Sequence, residues 1–363
     1  MRRSNERIHD YSVWVTRRIP AAIALALGVL GASLAPALGA SATAGTRSYS
    51  VSSDVATTLT LHMPILRLHF SATTKVKSLP RLTTRPALTT TWQQISANDV
   101  QAVITGSIKP ATNYTILLPT RMTCSPTCTF TAVRPHVTTV ATSTTWEEQL
   151  LAELNYLPVS FTASSPQSDP SQPANGTFTW KYPALPQALQ SQWKVGANGA
   201  ILRGALMNFQ SVQNIPTTGV ADSATWNALI NAVLANKVDP TSYNYVSVSE
   251  GSPETLTLYV KDHVQFRSPV NTGISSAPTE TGTYPVYERF LSTTMSGTNP
   301  DGSHYSDPGI QWVSYFNGGD ALHEFPRYSY GSPQSLGCVE MPFASAQTVF
   351  PFTPIGTLVT VNP

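Results

Sequence analysis

Charge is what this sequence has least of. Only 12% of its 363 residues are Asp, Glu, Lys or Arg, and the net charge is +2. No run of Lys or Arg lies in the body of the chain. A phosphate-binding surface needs clustered cations, so nucleic acid is excluded as a partner. Metal-binding spacings are missing too. His323-Glu324 is not followed by the second histidine of a zinc-protease helix. Asp301, His304 and Asp307 stand among the turn residues Gly302 and Pro308 rather than in a cation loop. No metal or other cofactor is expected, and no internal repeat is present.

What is there points outside the cytoplasm. Arg2, Arg3, Arg7, Arg17 and Arg18 precede an apolar run over residues 19–38 and the small-residue stretch Ala40-Ser41-Ala42. That order reads as an export signal over residues 1–45 or, left uncleaved, as a membrane anchor. The membrane is a partner only through this segment. Thr, Ser and Pro with short β-branched runs suit extracellular β domains. Cysteine is scarce, with three in all, and an odd count leaves at least one thiol without an internal partner. Cys124 and Cys128 flank Ser125-Pro126-Thr127, a spacing that can close a local disulfide in an oxidising compartment. Cys338 then remains, and on count alone it reads equally as an inert buried thiol, an intermolecular bridge or a reactive group.

A chain this long needs two or three cores. Residues 46–143 alternate in apolar character (Leu59, Leu61; Val100, Ala102, Ile104; Tyr114, Ile116, Leu118), which predicts short strands and an N-terminal β-sandwich. This region resembles the bacterial Ig-like modules of wall proteins. Its His62, His69 and His136 read as solvated strand residues. Residues 144–182 read as a short helix and a linker rich in Ser, Pro, Gln and Asp. Residues 183–236 read as a three-helix module, with Leu202, Ala205, Leu206 and Phe209 on one stripe and Trp226, Leu229, Ile230 and Val233 on another. Through Gly204-Ala205-Leu206, Phe209-Gln210, Ile215, Gly219-Val220 and Thr225-Trp226, this module resembles peptidoglycan-binding domains. Thr218-Gly219 departs from the Asp-Gly common there. Ser191-Gln192-Trp193-Lys194 has the spacing of a penicillin-binding serine box but no partner motifs, and is read as coincidence. Strands return in residues 243–363, expected at 255–261, 264–267, 284–290, 310–316 and 356–361. The whole is multidomain and mainly β.

Chemistry concentrates between Ala321 and Met341. His323 and Cys338 lie fifteen residues apart, separated by Pro and Gly that let the chain fold back. A thiol near pKa ~8.5 becomes a far better nucleophile when an imidazole takes its proton. Gly337 allows a tight turn before the sulfur and N–H groups aimed at a developing oxyanion. Ser335 either orients His323 or caps the turn. Tyr305, Trp312 and Tyr315 are candidate walls of a peptide cleft, each also readable as strand core.

Together with Val270-Asn271-Thr272-Gly273, the turn from Pro278 to Gly282, the stretch from Trp312 to Phe316 and the closing Gly356-Thr357, the segment resembles the YkuD-type L,D-transpeptidases. The resemblance implies a β-rich catalytic domain and an acyl-enzyme on Cys338, with His323 as base; the amides of Gly337 and Cys338 are assigned as oxyanion donors, with that of Leu336 as a further candidate. It further implies peptidoglycan stem peptides and glycan as partners, release of D-Ala, 3→3 cross-links, carbapenem inhibition and a wall-associated location. Two positions depart from the family pattern. Leu336 stands where a histidine is usual, and Glu340 stands where an arginine is common; both are assigned to substrate contact. The alternatives are a non-catalytic wall-binding protein and an L,D-carboxypeptidase.

Overall fold

The computed structural model describes residues 141–363 apart from 168 and 171, and before them residues 83–94, 99–104 and 108–117 and seven short strands between 47 and 139. The expected export signal, His62 and Cys124 lie outside the described residues, as do the side chains of Cys128, His69 and His136.

The N-terminal region is built of short strands, as its alternation predicts. One antiparallel sheet joins Val51–Ser53, Ile65–Phe70, Asp99–Ile104 and Thr90–Gln94. A second, mixed sheet joins Thr58–Leu59, parallel to His136–Thr139, with Asn113–Leu117 and Thr83–Arg85 following antiparallel. Ile108 and Tyr114 from this region are buried against the helices that follow.

Helix α1 (Thr144–Glu153) starts at Ser143, whose hydroxyl accepts the Trp146 amide at 3.2 Å and so satisfies a donor the helix cannot. It belongs to the helical module. Trp146 packs on Trp226 with ring centroids 4.8 Å apart. The Ser/Pro stretch read as a linker is the loop of a hairpin, Val159–Ala163 paired with Gly176–Trp180, whose Phe178 meets Trp193. Of the three expected helices, α2 (Gln187–Gln190) is one turn, whereas α3 (Ala200–Val212) and α4 (Ser223–Leu234) are full helices. The wholly buried Gln210 ties them together. Its amide nitrogen donates to Val220 O at 3.0 Å and Thr225 Oγ1 at 3.0 Å, while its oxygen accepts the Gly219 amide at 2.8 Å.

The helical module is seated directly on the C-terminal domain. A β-carbon on Gly204 in α3 would lie 2.5 Å from Gly356 O, and one on Gly356 would lie 2.2 Å from Gly204 O. Two backbones touch here, which only glycine allows. Gln192 Nε2 adds a bond to Thr283 Oγ1 at 2.9 Å. One apolar core runs from Trp146 through Phe209 to Tyr245 and Leu358, so the two parts share an interior.

The C-terminal domain packs two sheets. Five strands run in the order His263–Pro269, Thr255–Val260, Asn244–Ser249, Leu358–Asn362, Gly282–Pro285. Four run in the order Glu288–Thr298, His304–Asn317, Asp320–Glu324, Val339–Met341. Val246, Leu258, Phe316, Leu322, Val339 and Val359 fill the space between them, closed at one end by α5 (Phe343–Val349). The strand expected at 284–290 is two strands in different sheets. The chain changes sheet at Pro285-Val286, where the buried Val286 sends its amide to Thr357 O at 2.8 Å.

Candidate active site

The two strands that carry the chemistry, Asp320–Glu324 and Val339–Met341, pair in parallel, with Leu322 beside Val339 and His323 beside Glu340. Cys338 therefore enters the sheet beside Ala321. Since alternate residues share a face, Ala321, His323, Cys338 and Glu340 point to one side, while Leu322, Val339 and Met341 point into the core. The packing agrees: Ala321, Ile310, Val313, Tyr315, Phe325 and Cys338 form a separate apolar cluster. Phe325 also meets the His323 ring edge-on at 6.2 Å between centroids. A fifteen-residue separation in sequence thus becomes a diagonal neighbour across one strand pair.

His323 is buried, 2% exposed. Its Nδ1 lies 2.7 Å from the carbonyl oxygen of Glu324. A carbonyl only accepts, so Nδ1 carries the proton and Nε2 is the basic nitrogen of the neutral ring. Burial pulls the imidazole pKa down to about 4, with Arg327 acting in the same direction and the Glu324 carbonyl opposing. Burial pushes the Cys338 thiol up to about 12, helped by the carboxylates of Asp320 and Glu340 and opposed by a bond from the Ala321 amide. Both groups are neutral at pH 7. The thiol rests with its proton toward Gly319 O at 3.6 Å.

Ser335 serves the loop rather than the imidazole. Its buried hydroxyl donates to Cys338 O at 2.6 Å and accepts the Gly337 amide at 3.2 Å. Gly337 has φ +112, and a β-carbon there would lie 2.5 Å from Asp320 Oδ1. Its amide is turned to Ser335. The Val270-Asn271-Thr272-Gly273 motif ties this loop down: Asn271 exchanges backbone bonds with Glu340 at 3.0 and 2.9 Å, and its side chain holds Ser329 O and the Gly331 amide. Leu336 is 36% exposed at the rim.

The aromatic candidates divide. Tyr305 and Tyr315 both stand near the thiol; burial, reinforced by the charge Cys338 carries once it ionises, raises their phenol pKa, that of Tyr315 to about 12. Trp312 turns the other way. Its backbone adopts φ +58, and its ring packs on Phe350 at 5.6 Å and Phe343 at 6.4 Å, so it is core rather than cleft wall. Glu340 is also misassigned as a substrate contact. It is 4% exposed and held by Arg327, with Nε to Oε2 at 2.8 Å and Nη2 to Oε1 at 2.7 Å. Arg327, stacked on Phe325 at 4.6 Å, brings to this place the cation that the strand position lacks. Sequence reasoning gave no role to Arg327, although it lies within the segment between His323 and Cys338, because its partner Glu340 is thirteen residues away and only the fold brings them together.

Residues 243–361 match the family model of the L,D-transpeptidase catalytic domain (YkuD), and residues 187–229 match that of a peptidoglycan binding domain. The chain carries a YkuD-type L,D-transpeptidase catalytic domain beside a peptidoglycan binding domain. Among solved structures it is similar to an L,D-transpeptidase from Mycobacterium smegmatis (10% identity, 87% of this chain and 99% of that chain covered, TM-score 0.31). It is similar also to L,D-transpeptidase 3 from Mycobacterium tuberculosis with a faropenem-derived adduct (11% identity, 86% and 97% covered, TM-score 0.30). The catalytic domain of an E. faecium L,D-transpeptidase matches at 23% identity over 34% of this chain and 99% of that one, with TM-score 0.30. No curated protein matches.

Proposed function

We propose that this protein is an exported L,D-transpeptidase of the bacterial cell wall, working through a thioester on Cys338. The observation that carries the reading is the Nδ1 bond of His323 to Glu324 O, which leaves Nε2 free as a base on the face that also carries the sulfur. Thiol and imidazole are both neutral at rest, so the proton moves as the sulfur attacks rather than beforehand. The attacked carbonyl is the one preceding the terminal D-Ala of a tetrapeptide stem. As the C–N bond breaks, the imidazolium returns the proton to the leaving D-Ala amine. The Cys338 amide is the oxyanion donor, since the Gly337 amide is engaged by Ser335. The amine of a neighbouring stem then resolves the thioester to a 3→3 cross-link.

Leu336 does not end this chemistry, because the base comes from the upstream strand. Tyr305 and Tyr315 line the donor cleft, and Leu336 forms its rim. The N-terminal strands serve as an Ig-like spacer, and the helical module binds wall polymer. Carbapenems, which acylate a nucleophile and leave slowly, inhibit the enzyme. Intact mass after carbapenem treatment tests the reading. One adduct on wild type and none on Cys338→Ala is expected; no adduct on wild type, or equal adducts on both, overturns it.

A further inference from the structure

Glu254 is a buried carboxylate for which the chemistry above has no use. It stands just before the strand Thr255–Val260, in phase with Leu256 and Leu258, whose side chains fill the space between the two sheets. A position where the alternation calls for another leucine thus holds a carboxylate, 1% exposed, and among the described residues no Lys or Arg pairs with it. Taking such a group out of water without a cation is costly unless donors meet its oxygens. Here both donors come from one residue. Oε2 accepts the Thr272 amide and Oε1 accepts the Thr272 hydroxyl, each at 2.7 Å.

From Thr272 the bonds lead to the nucleophile. The loop over residues 325–338 has no helix or strand of its own, so its course is set by what it is bonded to. The carbonyl oxygen of Thr272 accepts the amides of Gln334 and Ser335, both at 2.9 Å. The Ser335 hydroxyl in turn donates to Cys338 O and accepts the Gly337 amide. The backbone of Glu254 braces the same loop further back, its amide donating to Gly331 O at 3.0 Å and its carbonyl accepting the Val270 amide at 3.1 Å. Glu254, Thr272 and Ser335, all buried, therefore form an unbroken strut from the sheet to the turn that carries the sulfur.

We propose that Glu254 is a positioning residue for Cys338, acting through Thr272 and Ser335 to hold the sulfur and the Cys338 amide where acylation requires them. The proposal rests on the transpeptidase reading above. A nucleophile displaced by about 1 Å loses on the order of 100-fold in rate, so slack anywhere along the strut reaches the reaction.

The test compares two variants of the full-length enzyme. Glu254→Leu keeps the bulk and continues the apolar phase of the strand but offers Thr272 no acceptor. Glu254→Gln keeps the size and, once the Thr272 hydroxyl rotates to accept, both bonds. Should Glu254→Leu melt too low, adding Thr272→Val removes the stranded hydroxyl. Intact mass against time and carbapenem concentration is expected to show a limiting acylation rate ~100-fold lower in Glu254→Leu, of which Glu254→Gln recovers ~10-fold or more. The half-saturating concentration should move less than ~2-fold, since Glu254 touches no substrate. Labelling of Cys338 by iodoacetamide should move the other way and rise several-fold in Glu254→Leu, because a slack loop lets water reach the sulfur. A purely structural role gives a loss of acylation that follows the melting temperature and leaves labelling unchanged. A wild-type acylation rate in folded Glu254→Leu, a loss that Glu254→Gln does not recover, or unchanged labelling overturns the proposal. Absence of any carbapenem adduct on wild type would instead sink the transpeptidase reading, and the labelling comparison would still report on the strut.

Discussion

Arg327 and Glu340 are bound to each other side-on, two guanidinium nitrogens to two carboxylate oxygens at 2.8 and 2.7 Å, with the carboxylate buried beside His323 and the guanidinium 30% exposed. Removing one partner of such a pair costs far more than removing both, because it strands a buried charge. Arg327→Met is therefore expected to destabilise the catalytic domain by about 3–5 kcal/mol, and the double variant with Glu340→Gln to recover most of that. Chemical denaturation of the four members of the cycle gives the coupling. Additive losses would show that the pair acts as two independent surface charges.

The pH dependence of acylation follows from His323. A histidine with an ordinary pKa would be half protonated near pH 6.5 and would lose activity there. Here burial holds the ring neutral down to about pH 4. Carbapenem acylation should accordingly keep its rate from pH 7 to pH 5 and fall only below that. A midpoint near pH 6.5 would mean that the ring is more solvated than its surroundings indicate.

The free thiol should be sluggish toward simple alkylating agents. With its pKa pushed up to about 12, iodoacetamide labelling of Cys338 is expected to be far slower than that of a small-molecule thiol at pH 7 and to climb about tenfold per pH unit up to pH 10. Fast labelling at neutral pH, followed by peptide mass mapping, would reveal a resting thiolate and contradict this.

Gly337→Ala should abolish acylation while leaving most of the fold intact. The backbone there has φ +112, a conformation an L side chain rarely adopts, so the loop must move; the methyl would also meet Asp320 Oδ1 at 2.5 Å. A shift of about 1 Å in a nucleophile costs on the order of 100-fold in rate. Acylation kinetics beside a melting curve separate the two effects, and a variant with near-normal rate would show that the loop accommodates the methyl.

A pH effect on stability is written into the helical module. Burial, reinforced by the Glu148 carboxylate, raises Glu147 to about 7. A carboxyl raised in the folded state stabilises fully below its unfolded pKa, and that contribution is lost as pH rises through the folded pKa, here between about 4.5 and 7. The loss amounts to roughly 3 kcal/mol at most. Glu147→Gln should raise the melting temperature by several degrees at pH 8 and barely change it at pH 4.5. Equal shifts at both pH values would remove titration as the cause.

Much of this molecule is legible in local pattern. The alternation at residues 255–261 and the apolar stripes around Phe209 and Trp226 resolve into a strand and two helices, because each element buries one face and the sequence records that face. His323 and Cys338 stand out because residues of their type beside Pro and Gly have few other uses. The pairing of Arg327 with Glu340 is not legible, since it depends on a parallel register between strands joined by a long loop. Nor is the turning of Trp312 into the core, which a left-handed backbone brings about in mid-strand. Gly204 and Gly356 each read as part of a separate family motif, yet each is where it is because the other is there.

That contact between two glycines makes the protein a caliper. On the reading proposed above, wall polymer held by the helical module would meet the sulfur across this contact, at a separation set by the shared core. Cross-links made by such a tool would fall at a regular interval from the gripped strand, measured out by the enzyme's own dimensions.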